Sequence, residues 1–353
     1  MFEIGCLGAC WLCCAEYVMG KDVRVKMSTF LKICGEYDPE VPDIIYHYCT
    51  VDAMLSILQN NCLWMCDLER TNDKTELKYF YDQMRKMFDD FNQKYKSKYG
   101  SKLVKVYTVL EKAIEGLYNR TAYITQISKD YVCCFSEEKD LLSQWRGYGS
   151  DGNGIAIGFN AQLLRKLDIN GSRYKFIKVI YDNEKVYENI RSYMEKQMIT
   201  ILDDIKEEEL DPENILFNLV TVIAPMMEDN YIFKNPGFVE ENEWRVYYKQ
   251  IGNFDEDSGD EEILLKGAFS VENEFIYPFS RSELKFRSLK DDISSYFELG
   301  FERCKSDIIK KIIIGPKCKI NIRDMKILLR KYHYINDMES NSIEIVKSNC
   351  PYT

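Results

Sequence analysis

The chain has 353 residues, 46% of them hydrophobic, and a net charge of −10 from 47 basic and 57 acidic side chains. That length and apolar share allow one large or two modest domains and exclude a chain too polar to bury a core. The acidic balance argues against a broad nucleic-acid surface, although the Lys and Arg residues leave room for a local basic cleft.

The thirteen cysteines are odd in number and irregular in spacing, which fits reduced thiols in a cytoplasm better than a disulfide scaffold. Four of them, Cys6, Cys10, Cys13 and Cys14, fall in a cysteine-rich segment over residues 1–40. Helical spacing puts these four on one face, so a buried small-residue face competes with a metal cluster and with a lipidated or partner-binding surface. "LGAC" at Leu7–Cys10 is no lipoprotein box, because no basic residue precedes it and the apolar run is short. No later stretch is long and apolar enough to span a membrane, and none is expected to bind one.

From residue 41 onward the elements alternate. "IIYHYCT" (Ile44 to Thr50) reads as a strand whose Thr50 caps a short helix carrying Ala53, Leu55, Ile57 and Leu58. "NCLWMC" (Asn61 to Cys66) is a second strand. A charged helical stretch then runs from Lys74 to about Tyr118, broken near Gly100. "YVCCFS" (Tyr131 to Ser136) is strand-like, and Leu141 to Tyr148 forms a short helix. "GIAIGF" (Gly154 to Phe159) is a strand buried on both faces, with "KFIKVIY" (Lys175 to Tyr181) as its expected partner. A second helical region covers about Glu184 to Phe233 and breaks near Asp211-Pro212. "ENEWRVYYK" (Glu241 to Lys249) and "IIKKIIIGP" (Ile308 to Pro316) are strands, and "NFDEDSGDEE" (Asn253 to Glu262) between them is a solvated acidic loop. A helix at about 322–332 and a strand at 343–346 close the chain. This order predicts an α+β fold with one mixed central β-sheet and long helical insertions.

Few residues offer chemistry. Only His47 and His333 are histidines. Alternation puts His47 with Ile45 and Cys49, and Tyr46 with Tyr48 on the other side. His47 is then either a hydrogen-bonded core histidine or a donor that orients a ligand hydroxyl. In "EENEWRVYY" the same alternation puts Glu241, Glu243, Arg245 and Tyr247 on one face and Trp244, Val246 and Tyr248 on the core side. The charged face reads either as a structural Glu–Arg pair on a solvated sheet or as carboxylates that stabilise cationic charge. Asn72-Asp73 suits a helix cap with Glu76 completing a capping box. The glycines between Gly147 and Gly158 carry no phosphate-loop signature. Asp151-Gly152 and Asn153-Gly154 read as positive-φ turn pairs, while Trp145 and Tyr148, three apart, form a candidate ligand wall or a core face. P-loop, GxSxG and HExxH motifs are absent.

Several blocks, in order, resemble the bacterial and phage DUF2971 family: "YHYCTVDAMLSILQNNCLWMC", "TNDKTEL", "CCFSEEKDLLSQWRGYGSDGNGIAIGF", "ENEWRVYY", "IIKKIIIGP" and "IVKSNCPY". The resemblance implies one α+β domain over 41–353, with helical insertions at about 74–118 and 184–233. A looser resemblance, of "YHY" with "LSILQNNCLWM" and of "EENE", is to ADP-ribosyltransferases, particularly DarT-like toxins. It implies an ADP-ribosyltransferase-like fold and a toxin or phage-defence effector that uses NAD as substrate, needs no metal, and modifies nucleic acid or protein. Glu243 would hold the ribose 2′-hydroxyl and favour the oxocarbenium ion, Glu241 would orient the acceptor, and His47 would hold the nicotinamide ribose. Tyr48, Asn72, Ser136, Trp145, Tyr148 and Arg245 are the other residues expected around NAD. On that reading His47 and Glu243 lie on adjacent strands facing one cleft. The alternatives are a non-catalytic module that recognises a nucleotide or a phage protein, and a Mg-dependent nuclease.

Overall fold

The computed structural model describes residues 37, 39–71, 76–119, 128–168, 174–228, 230–251, 274–335 and 343–352. The cysteines at 6, 10, 13 and 14, the Asn72-Asp73 cap and the acidic loop lie outside the described residues.

The fold is α+β. Its open mixed sheet runs in the order β12 (Glu344–Lys347), β11 (Ile309–Ile314), β4 (Ile155–Asn160), β1 (Ile44–Cys49), β3 (Ser128–Ser136), β2 (Cys62–Asp67), β10 (Asp292–Gly300), β8 (Phe279–Arg281) and β7 (Glu274–Ile276). A branch leaves this path at β3, where β6 (Glu243–Ile251) pairs along the whole strand and carries β5 (Tyr174–Lys178) on its far side. A further strand, β9 (Lys285–Leu289), pairs with β10. Neighbours are antiparallel except β11 and β12.

Strand alternation sends two different sets of side chains to the two faces. One set, with Ile45, Phe135, Ile157, Trp244 and Phe297, packs under α1 (Val51–Asn60) and, near the chain's end, α6 (Ile322–Lys331). Thr50 caps α1 as its sequence suggests, its hydroxyl accepting from Ala53 N at 3.1 Å. The other set, with Val132, Ile177 and Tyr247, packs under α2 (Glu76–Tyr118), α4 (Glu184–Asp204) and α5 (Pro212–Glu228). In α2 the apolar positions Phe80, Met84, Phe88 and Phe91 recur at helical spacing and make the buried stripe. The helix breaks at Gly100. Beside this lobe, over β1, β4 and β11, Tyr46, Tyr48, Ala156 and Ile313 surround Trp145 of the one-turn-and-a-half helix α3 (Leu142–Gly147).

The buried strand at 155–160 is as expected, but its neighbours are β1 and β11. Residues 175–181 do not pair with it. Residues 175–178 belong to β5 on the β6 branch, where Phe176 stacks on Trp244 and Tyr174 on Tyr248, and 179–181 run on past the strand's end. The turn pairs also divide. Asp151 and Gly152 have φ of 54° and 85°, whereas Asn153 has φ of −89°. Gly154 is required for a different reason: a Cβ there would run into the Cys49 carbonyl oxygen. The strands over 274–300 were not expected from sequence: β10 buries Ser294 and Ser295 as well as Tyr296, Phe297 and Leu299, which blurs its apolar pattern. No helix among the described residues is long and apolar enough to cross a membrane.

Candidate functional site

Of the residues singled out from sequence, Ser136, Tyr148, Glu241, Glu243 and Arg245 come together around the end of β3 and β6, on the face that carries the helical lobe. Ser136 stands opposite Glu243 on one side and Tyr46 on the other, so these three make a row across β6, β3 and β1. His47 is not in this row. It points to the opposite face, where its ring meets Phe135 and its Nδ1 lies 3.0 Å from the Cys134 carbonyl oxygen. A carbonyl only accepts, so Nδ1 carries the proton and donates it. Burial lowers the His47 pKa, with the backbone bond acting against it. The expected single cleft for His47 and Glu243 is therefore not formed, for a simple reason of parity: the position on β1 sharing the Glu243 face is Tyr46.

Glu243 begins strand β6, is 3% exposed, and makes a two-pronged pair with Arg245, from Nε at 2.7 Å and Nη2 at 3.1 Å. Its second oxygen also takes Lys234 Nζ at 2.8 Å, and its N–H donates to the Tyr181 hydroxyl at 3.1 Å. Arg245, 1% exposed, spends its remaining nitrogen on the Tyr231 carbonyl at 2.6 Å and pairs with Glu76 at the start of α2. This is no solvated sheet face. Burial alone would raise the Glu243 carboxyl, but Arg245 and then Lys234 outweigh it and hold Glu243 well below the usual carboxylate range. Glu76 goes the other way: burial pushes it up, and the Arg245 it shares with Glu243 offsets only part of that.

Glu241 does not belong to the strand. It ends a 3-10 turn over Pro236–Glu241, and Asn242 takes φ of 42° before β6 starts. The turn swings Glu241 back towards Glu243, so that Lys234 Nζ bridges them, at 2.5 Å from Glu241 and 2.8 Å from Glu243. The other Glu241 oxygen accepts from the Tyr148 hydroxyl at 2.6 Å. Lys234 also lies 5.0 Å from the Phe238 ring centre. Burial works against its charge, but Glu243 outweighs it and holds the ammonium above the ordinary lysine range.

The turn after β3 forms the outer rim. Glu137 accepts from Lys178 Nζ at 2.7 Å, Trp244 Nε1 at 2.6 Å and Asn242 Nδ2 at 3.0 Å. Ser136 Oγ accepts from Glu138 N at 3.0 Å, and the Tyr48 hydroxyl donates to the Glu138 carbonyl at 2.6 Å. Both side chains expected around NAD thus brace this turn. Trp145 is fully buried, edge-on to Tyr48, with its indole N–H on Asp140 at 2.7 Å. It shares no ligand wall with Tyr148, which sits at the helix's end and reaches Glu241 instead. Asn72 lies outside the described residues.

Lys234 and Glu76 were missed from sequence. Lys234 had a signal: a lone lysine after the apolar "NYIF", whose Tyr231, Ile232 and Phe233 are all buried, needs a counter-charge. Glu76 had none beyond its capping-box position. What the assembly can do chemically is hold a cation. Glu76 and Glu243 are occupied with Arg245 and Lys234, and at the outer edge Glu137, Glu138 and Glu241 outnumber Lys178 and Lys234 by one. Among the described residues, no group of His, Cys, Asp and Glu side chains is arranged to hold a metal ion.

No curated protein and no solved structure matches the chain. One family model does, over residues 144–246, a narrower span than the blocks from Ile44 onward. The matched stretch holds α3 from Gln144 on, Tyr148, Lys234, Glu241, Glu243 and Arg245, and leaves out His47, Glu76 and Ser136. It is the model of the DUF2971 family, described as a protein of unknown function, and residues 144–246 are this chain's match to it.

Proposed function

We propose that this chain is a non-catalytic recognition module that takes a basic protein segment at the rim formed by Glu137, Glu138 and Glu241. The observation that carries this reading is the state of Glu243. Glu243, the carboxylate expected to stabilise a reaction's positive charge, is enclosed and already paired with Arg245 and Lys234. What remains accessible is the outer rim, with Glu138 exposed and Glu137 and Glu241 partly so. A rim richer in carboxyls than cations attracts Lys and Arg side chains and repels phosphates, so a basic peptide suits it better than a nucleotide. Titrating the protein with a Lys-Gly repeat peptide in a calorimeter tests this. Binding is expected to weaken as salt rises and to be lost in a Glu138→Gln/Glu241→Gln variant. Equal binding by that variant would overturn the assignment.

A second reading, the NAD-dependent ADP-ribosyltransferase, is favoured by one observation: the Tyr46–Ser136–Glu243 row across three neighbouring strands. There Tyr46 would take the place assigned to His47. It requires Lys234 to leave Glu243. Incubation with NAD separates the two readings: released nicotinamide that disappears in folded Glu243→Gln favours the transferase, and no release favours the recognition module.

A further inference from the structure

The C-terminal residues 348–352 are fastened with unusual density to the element that carries Tyr148. After β12 pairs with β11, Ser348 N donates to the Ile314 carbonyl at 2.8 Å and the chain turns across α3. Asp140, just before α3, collects three donors there: Ser348 Oγ at 2.5 Å, Asn349 N at 2.7 Å and Trp145 Nε1 at 2.7 Å. One carboxylate thus joins the tail to the indole that anchors α3. The Tyr352 ring lies between two cations, with the Arg146 guanidinium 5.0 Å and the Lys317 ammonium 3.7 Å from its centre. Its hydroxyl donates to Asp151 Oδ1 at 2.5 Å, and Lys317 holds the other oxygen of Asp151 at 3.0 Å. Asp151 and Arg146 flank Tyr148 in sequence, so the tail grips α3 on both sides of the residue whose hydroxyl reaches Glu241.

We propose that residues 348–352 form a strap that fixes α3 and, through Tyr148, holds Glu241 in the candidate site. The contacts make a continuous chain: Tyr352 and Ser348 to Arg146, Asp151 and Asp140, then α3, then Tyr148, then Glu241, then Lys234 and Glu243. Ser348 and Tyr352 are therefore positioning residues. The strap rests on the recognition site described above but not on what that site binds.

Hydrogen exchange measured by mass spectrometry on the whole chain tests the strap without any ligand. In a Ser348→Ala/Tyr352→Ala variant, amides of 141–149 are expected to exchange about tenfold faster, as loss of a few tail contacts allows. Amides of 236–243 should speed up with them, while those of α4 and α5 keep their wild-type rates. Tyr148→Phe should speed up 236–243 alone and leave 348–352 unchanged, which gives the chain its direction. Acceleration of 141–149 without 236–243 would overturn the proposal, as would no change or a uniform rise that includes α4 and α5. Because no ligand enters, failure here leaves the peptide titration standing, and failure of the titration leaves the strap standing.

Discussion

The two faces of the β1–β3–β6 strands are built from opposite materials. On one face Ile45, Phe135 and Trp244, with Ile157 of the neighbouring β4, pack as an apolar layer that also takes in His47, satisfied by one carbonyl. On the other, Glu243, Arg245, Lys234 and Glu76 form a buried ionic cluster, which the partly exposed Glu241 joins from the rim. On the apolar face each group removed costs mainly its own burial and the cavity it leaves. The charged face is held only by mutual compensation, since each member's burial is tolerable only while its partners remain. A charged motif in a strand is therefore not evidence of a reactive cleft, because the same residues can be wholly occupied with each other.

Substitutions can sharpen or break that contrast. The largest effect is expected from Arg245→Met, which leaves Glu243 and Glu76 buried without their main cation. A loss of about 3–5 kcal/mol in urea unfolding is expected. On the apolar face, Ile157→Ala is expected to cost about 2–5 kcal/mol through the cavity it leaves. The faces differ in what comes next: a second substitution removing a charged partner should recover part of the Arg245 loss, and nothing comparable should recover the Ile157 loss. Gly154→Ala, which pushes a methyl against the Cys49 carbonyl, is expected to cost about 1–3 kcal/mol by the same measurement. Tyr148→Phe removes a single hydrogen bond to Glu241 and is expected to cost about 1 kcal/mol.

The smallest effect separates the faces by pH. His47 has a folded pKa below its ordinary 6.5, so the unfolded chain takes up the proton first and stability should fall as pH drops below that value. Glu243 has a folded pKa below its ordinary 4.5, so its contribution persists above 4.5 and is lost only as pH falls from there towards the folded value. Glu76, shifted upward, acts in the opposite sense in the acid range. Urea midpoints followed from pH 7.5 downward should show a first decline near pH 6.5 that is missing in His47→Asn.

The sequence carried the long helices, the buried strand at 155–160 and the strand expected from Glu241, which in fact starts at Glu243, because apolar period and turn residues are local properties. It did not carry strand partners: residues 174–178 join β6 with stacking on Trp244 and Tyr248, a contact between distant segments. Nor did it carry parity across strands. Glu241 and Glu243 do meet, but through a turn at Asn242 and not by alternation, while His47 and Glu243 part because β1 offers Tyr46 to the shared face. Trp145 and Tyr148 share helical spacing and one cluster, Trp145 enclosed within it and Tyr148 packed at its edge, so the spacing marks a core face.

The central claim is that Glu243 serves as an internal partner of Lys234 and Arg245. A double-mutant cycle tests it most directly, with urea unfolding of the wild type, Lys234→Met, Glu243→Gln and the double variant. A coupling energy of about 1.5–3 kcal/mol between positions 234 and 243 is expected, with the double variant more stable than the sum of the singles allows. A coupling below about 0.5 kcal/mol would mean that the two act independently, and the closed ionic cluster would no longer account for Glu243.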